Sequence, residues 1–162
     1  MQQGSITVDV DYDERYWYPD EGGQVWLAGY SLVEPGGGRF LARDDPSLAE
    51  RGLRVAGAAG AGQHHAEAVA GEDVGPGKPL ELRRDPGNEN DPNAIAVYPA
   101  GGGEQVGWVP REVAQELASE LDAGESWSAV VLREQRRSPR DPRHGLTMLL
   151  ARAREIELVV RT

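Results

Sequence analysis

A mainly β chain with one substantial helix is what this sequence predicts, and three observations carry the prediction. Apolar–polar alternation recurs at Ile6–Tyr12, Leu80–Leu82, Ile95–Tyr98 and Ile156–Val160, each the pattern of a strand with one buried face. Two of these segments flank a polar loop, Asp85 to Asn93, holding three Asn, two Asp, two Pro and a Gly, types whose side chains bond nearby backbone and fix tight bends. A single apolar stripe, Val113, Leu117 and Leu121 with Ala114 and Ala118 beside it, has helical spacing and ends before Gly124, a residue suited to the position just past a helix.

Taken in order, Ile6, Val8, Val10 and Tyr12 alternate with Thr7, Asp9 and Asp11, a first strand with one wet acidic face. Tyr16, Trp17 and Tyr18 follow, and seven of the ten aromatic residues fall in the first 40 positions, so Trp17, Trp26 and Tyr30 are expected to form a small core of their own; a partner-binding face is the other reading. Gln24–Val33 and Arg39–Arg43 read as a hairpin around Glu34-Pro-Gly-Gly-Gly38, and residues 44–52 as a polar linker or short helical turn. Leu53–Gly57 reads as a strand, and the small residues Ala58–Gly62 as a loop leading to His64-His65. Leu80 and Leu82, then Ile95 and Val97, then Gln105–Val109 form a three-stranded meander, after which Pro110 suits the first helical position. Ser128–Gln135 and Leu146–Ala151 are two more strands, joined by a loop rich in Arg and Pro, and Ile156–Val160 is a last strand expected to pair with residues 6–12.

Composition limits the function classes. A chain of 162 residues can bury one good core with an extension. It has no Cys, hence no disulfide or thiolate metal site, and neither a basic-then-apolar opening segment nor a long apolar run, which points to the cytoplasm. The formal charge of −10 opposes binding to phosphates, but it is uneven: residues 1–50 carry ten acidic side chains against three basic ones. Catalytic signatures are missing: there is no G-x-S-x-G and no H-E-x-x-H, and the glycines at 57, 60 and 62 match neither a dinucleotide fingerprint nor a phosphate loop. A calcium-loop frame starting at Asp85 puts Asn90 where Gly belongs and Ala96 where a bidentate Glu is needed. His64 and His65, as strand neighbours, face opposite ways, so no metal or other cofactor is expected.

The run RRDPGNENDPNAIAVY, followed by QVGWVPREVAQELA and preceded by LRVAG, resembles the HIRAN domain, a small β-barrel found alone in bacteria and fused to helicase-like translocases; Asn88, Asp91, Asn93, Ala94 and Gly107 fall in the family's order and spacing. The resemblance spans Arg51 to Arg152 and implies a six-stranded barrel related to the OB and SH3 folds with one helix, giving three parts: an acidic, aromatic β extension (1–50), the barrel (51–153) and a C-terminal strand (154–162). From the best understood eukaryotic members it implies binding of single-stranded DNA with its 3′ hydroxyl end in a pocket; with no motor or nuclease motif in the sequence, a non-catalytic module is expected, serving a DNA repair or defence machine, a helicase or nuclease, encoded separately.

By the same resemblance, Asn88, Asn90 and Asp91 line the pocket, with Asp91 accepting from the sugar hydroxyl; Trp108 contacts DNA, Arg111 meets phosphate, and His64-His65 stand nearest the family's basic-aromatic pair. The eukaryotic members carry an aromatic where Asn90 stands, so Trp108 is left as the stacking surface. Arg83, Arg84, Arg136 and Arg137, with Arg140 and Arg143, are candidate phosphate contacts or an ordinary solvated surface. The residues themselves leave a structural reading open, in which Asn88 and Asn93 bond turn backbone, Asp91 caps the turn and Trp108 is core. The rival function is a protein-interaction barrel whose acidic extension docks a partner or masks the DNA-binding surface. A hydrolase with an unrecognised site is the third.

Overall fold

The runs Ser128-Ala-Val-Val-Leu132 and Leu146-Thr-Met-Leu-Leu-Ala151 are nearly all apolar, so strands made from them must be covered on both faces. The computed structural model, which describes residues 3–20, 23–36, 38–60, 74–136 and 145–161, shows how. Strands β7 (Ser128–Arg136) and β8 (Gly145–Ala151) pair antiparallel, and β3 (Leu53–Gly57) pairs with the other edge of β8. Ala129, Val131, Met148 and Leu150 enter one core, together with Ile95, Val97, Val106 and Leu117. Their neighbours Val130, Leu132, Leu149 and Ala151 enter a second core, with Val8, Val10, Leu32 and Leu53. One sheet is thus shared by two cores.

Around the first core, β4 (Pro79–Arg84) pairs with the beginning of β7, β5 (Ile95–Pro99) with β4, and β6 (Gly107–Trp108) with β5. From β6 the circuit returns to the end of β3 through one bridge, in which the Ala59 N–H donates to the Trp108 carbonyl at 2.8 Å and the Trp108 N–H donates back at 3.0 Å. The strand ladder is open there, so the expected mainly β fold is present while that last link is a bridge and not a strand pairing. Helix α2 (Arg111–Asp122) sends Ala114 and Leu117 into this core, packs Val113 and Leu121 against it, and buries Ala118. Pro110, expected at the first helical position, is instead the N-cap: its ψ of 145° is extended, and its carbonyl accepts the first helical bond from the Ala114 N–H at 2.8 Å. At the other end Gly124 (φ 93°) follows the cap, and the Gly124 and Glu125 N–H groups return to the carbonyls of Leu121 and Glu120, closing the helix.

The second core is covered by β1 (Gln3–Asp20), β2 (Gly23–Leu32) and β9 (Ala153–Val160). Strand β9 runs parallel to β1, with Ile6 opposite Ile156 and Val10 opposite Val160. Strand β2 pairs with β1 and with the end of β7, so β4 and β2 share one edge of β7. Gly29 makes that last pairing possible: its φ is +145°, and a Cβ there would stand 2.3 Å from the Leu132 carbonyl oxygen. A short helix, α1 (Pro46–Glu50), is capped by Asp45 and sends Leu48 into the second core.

Two expectations for the N-terminal part are corrected. The hairpin around Glu34–Gly38 shrinks to a single bridge, Val33 to Phe40, because the strand partner of β2 is β1 and the turn is held against β1 by the Asp9 carboxylate, which accepts from the Gly36 N–H at 2.5 Å. Among the described side chains the aromatic residues form no separate core; Tyr12 stacks edge-on against Tyr30 and Tyr16 against Trp26, as directly opposed cross-strand pairs, with Tyr12 and Tyr16 well exposed. The side chain of Trp17 lies outside the described residues.

Asp9 also accepts from Arg161 Nε at 2.9 Å, and these bonds, Arg161 first, hold its carboxyl below the ordinary 3.8; Asp122 is lowered in the same way by Arg84. A carboxyl depressed in the folded state stabilises the fold above its unfolded pKa, and that contribution is lost as pH falls through the folded value. The melting temperature is therefore expected to drop below roughly pH 4, and Asp9→Asn to weaken that acid dependence, as read from thermal melts between pH 7 and 2.5.

Candidate functional site

The loop from Asp85 to Ala94 is built by its own polar side chains. Asp85 N–H donates to the Ala94 carbonyl at 2.9 Å and closes the loop. Asn88 Oδ1 accepts from the N–H groups of Asn90 (2.9 Å) and Asp91 (3.1 Å), while Asn88 Nδ2 donates to Asp85 Oδ2 at 3.3 Å. Asp91 Oδ1 accepts from the Asn93 N–H at 2.9 Å. Arg84 then latches the loop to α2, donating to the carbonyls of Pro92 (3.1 Å) and Ala94 (3.0 Å) and, as a two-pronged pair, to Asp122 (2.9 and 3.1 Å).

Opposite the loop stands β6. Gly107 lets the chain after β3 approach closely, since a Cβ there would lie 3.0 Å from the Ala59 carbonyl oxygen and 3.2 Å from Ala58 Cβ. Between loop and strand is a cavity of about 410 Å³. Buried Ala94 and Val109 form its base, Ala59, Gly60 and half-buried Trp108 one wall, and Asn88, Asn90 and Asp91 the other. Arg111, the first residue of α2, stands exposed at its edge, with Nε 3.7 Å from Asp91 Oδ2 and Nη2 donating to the Asn90 carbonyl at 3.3 Å.

The cavity thus gathers Asn88, Asn90, Asp91, Trp108 and Arg111 from the sequence candidates. They are not equivalent. Asn88 spends its amide on the loop, as the structural reading had it, whereas Asp91 keeps Oδ2 toward Arg111 and Asn90 is exposed. The other candidates lie elsewhere: Arg83 donates to Glu81 at 3.1 Å and lies over the Tyr98 ring, and Arg84 is consumed by the latch. His64, His65, Arg137, Arg140, Arg143 and the side chain of Arg136 are outside the described residues. Sequence reasoning missed the wall formed by Ala59 and Gly60; its signal was the run of small residues after β3, read only as a loop. No described residue of the N-terminal extension lines the cavity.

Chemically, the arrangement offers one acceptor oxygen for a hydroxyl, a guanidinium at the positive end of a helix for an anion, and an aromatic face for a flat apolar ring. Among the described residues no three His, Asp or Glu side chains converge as metal ligands, and no helix is long and apolar enough to cross a membrane.

A family model described as the HIRAN domain matches residues 55–145. No curated protein matches the chain. Two solved structures are similar: the HIRAN domain of human HLTF is 25% identical, the match covering 62% of this chain and 77% of that one at a TM-score of 0.44. A protein from Lactobacillus plantarum is 18% identical, the match covering 60% of this chain and 91% of that one at a TM-score of 0.42.

Proposed function

The chain belongs to the HIRAN domain family, and on that premise we propose that it is a non-catalytic module that seats the 3′ end of single-stranded DNA in the cavity between Trp108 and the Asp85–Ala94 loop. The observation that carries this reading is the convergence in one hollow of a carboxylate oxygen left over from the loop's own bonding, a guanidinium at a helix start and a half-buried indole. Asp91 Oδ2 accepts the terminal sugar hydroxyl, Trp108 stacks on the last base, and Arg111 meets the phosphate that precedes it. With no motor or nuclease motif of its own, the module delivers the bound end to a helicase or nuclease encoded separately, as in DNA repair.

The test compares oligonucleotides ending in a 3′ hydroxyl and a 3′ phosphate on the full chain. A terminal phosphate loses the hydroxyl donor and faces the Asp91 carboxylate, so binding is expected to weaken at least about tenfold. Asp91→Asn, which keeps the oxygen that organises the loop, narrows that difference. One or two phosphate contacts give a log–log salt slope of only about −0.7 to −1.4, as suits a protein of such negative charge. Equal affinity for both ends would overturn the assignment.

A further inference from the structure

A second hollow lies on the opposite layer, between the β1–β2 hairpin and the sheet shared by the two cores. It consists of two adjoining parts, of about 420 and 410 Å³, which share Asp13, Arg15, Ser31, Arg43 and Arg133. A bulge in β7 brings Arg133 there. Val131 faces Met148 across the ladder and Arg133 faces Thr147, so Leu132 is an extra residue and the alternation of sides is reset. Without the bulge Arg133 would turn toward the first core; with it, the side chain turns outward to meet two other arginines.

These three cations are poorly compensated. Arg133 Nη1 donates to the Tyr30 carbonyl at 3.1 Å, and among the described residues no carboxylate lies within ion-pair distance of Arg133 or Arg43. Arg15 stands 3.4 Å from Asp13, a pair open to solvent on both sides. The Arg133 guanidinium is pushed below its ordinary range, by burial first and then by the facing charges of Arg43 and Arg15. In a chain of net charge −10, a half-buried Arg133 facing two further arginines is an unfavourable arrangement that an anion would relieve.

The two parts differ in character. The inner one presents Arg15, Arg43 and Arg133 with the neutral donors Ser31, Gln135 and Thr147, and its one carboxylate is Asp13. The adjoining one adds Tyr12, Phe40, Leu41 and Val55, of which Phe40 is 61% exposed, with Asp11 at its side. We propose that this groove binds a nucleotide unit, its phosphate on Arg43, Arg133 and Arg15 and its base against Phe40 and Tyr12. The unit comes either as a free nucleotide or as part of a strand. The site is separate from the cavity at Trp108, and its assignment does not depend on that cavity's role.

Calorimetric titration of the full chain tests it, with deoxyadenosine 5′-monophosphate, inorganic phosphate and an oligonucleotide bearing a 3′ phosphate as probes. Saturable binding is expected for at least one nucleotide probe, weakened about tenfold or more in Arg43→Glu, a substitution at an exposed position. Phe40→Ala weakens the nucleotide probes and leaves inorganic phosphate unaffected. Binding of the monophosphate identifies a free nucleotide as the ligand; binding of the oligonucleotide alone identifies a strand. Failure of both to bind, or wild-type affinity in an Arg43→Glu protein of wild-type melting temperature, would overturn the proposal; neither result bears on the discrimination between 3′ hydroxyl and 3′ phosphate.

Discussion

A chain that begins at Arg51 is expected to lose its cooperative fold, although the family match starts only at Val55. Val130, Leu132 and Leu149 lie on the outer face of the shared sheet, between 0% and 5% exposed, and the side chains that cover them include Val8, Val10, Leu32 and Leu48 from the part removed. Uncovering an aliphatic side chain costs about 1.5–3 kcal/mol, so three or four of them approach the whole stability of a typical domain, roughly 5–15 kcal/mol. The parallel partner of β9 goes as well, leaving Ile156 and Leu158 without cover. Urea unfolding followed by circular dichroism should show a broad or absent transition, with aggregation on size exclusion. A shortened chain that unfolds cooperatively at the same midpoint would show instead that the second core is dispensable. For the same reason, binding is best measured on the full chain.

Much of this was legible in the sequence, and the exceptions have physical causes. Alternation located β9, and the stripe through Val113, Leu117 and Leu121 located α2, because local periodicity is enough where one face is buried; β5 was located too, although four of its five residues are buried. The length of β1 was not legible: beyond Tyr12 the chain reads Asp-Glu-Arg-Tyr-Trp-Tyr, with no alternation, and it is extended because β2 pairs with it as far as Asp20. Nor could the bulge at Leu132 be read, since an apolar run buried on both faces carries no record of which side each residue takes.

The site divides in the same way. The polar loop stood out from its composition, but Asn is suited both to lining a hollow and to bonding its own turn, and only the geometry shows Asn88 doing the second while Asp91 does part of each. Arg84 looked like half of a basic pair with Arg83; its partner is Asp122, 38 residues away, beyond the reach of any local pattern.

Trp108→Ala is expected to lower affinity for a 3′-hydroxyl oligonucleotide by about 5- to 150-fold, the range that corresponds to about 1–3 kcal/mol for one base–aromatic stack. The indole lines the cavity and is only half-buried, so one face remains free to a ligand while the rest packs on the protein. Truncation will also lower stability, which is why a binding loss alone would not distinguish stacking from packing. The main chain helps to separate the two: Trp108 is tied to Ala59 through its own N–H and carbonyl, bonds that survive a change of side chain. Trp108→Phe keeps a flat face and should restore most of the affinity, whereas Trp108→Leu fills space without stacking and should not. If Leu restores binding as well as Phe does, or if Ala binds like the parent while melting lower, the indole is wall and core only, and the end of the strand is held by Asp91 and Arg111 without a stacking surface.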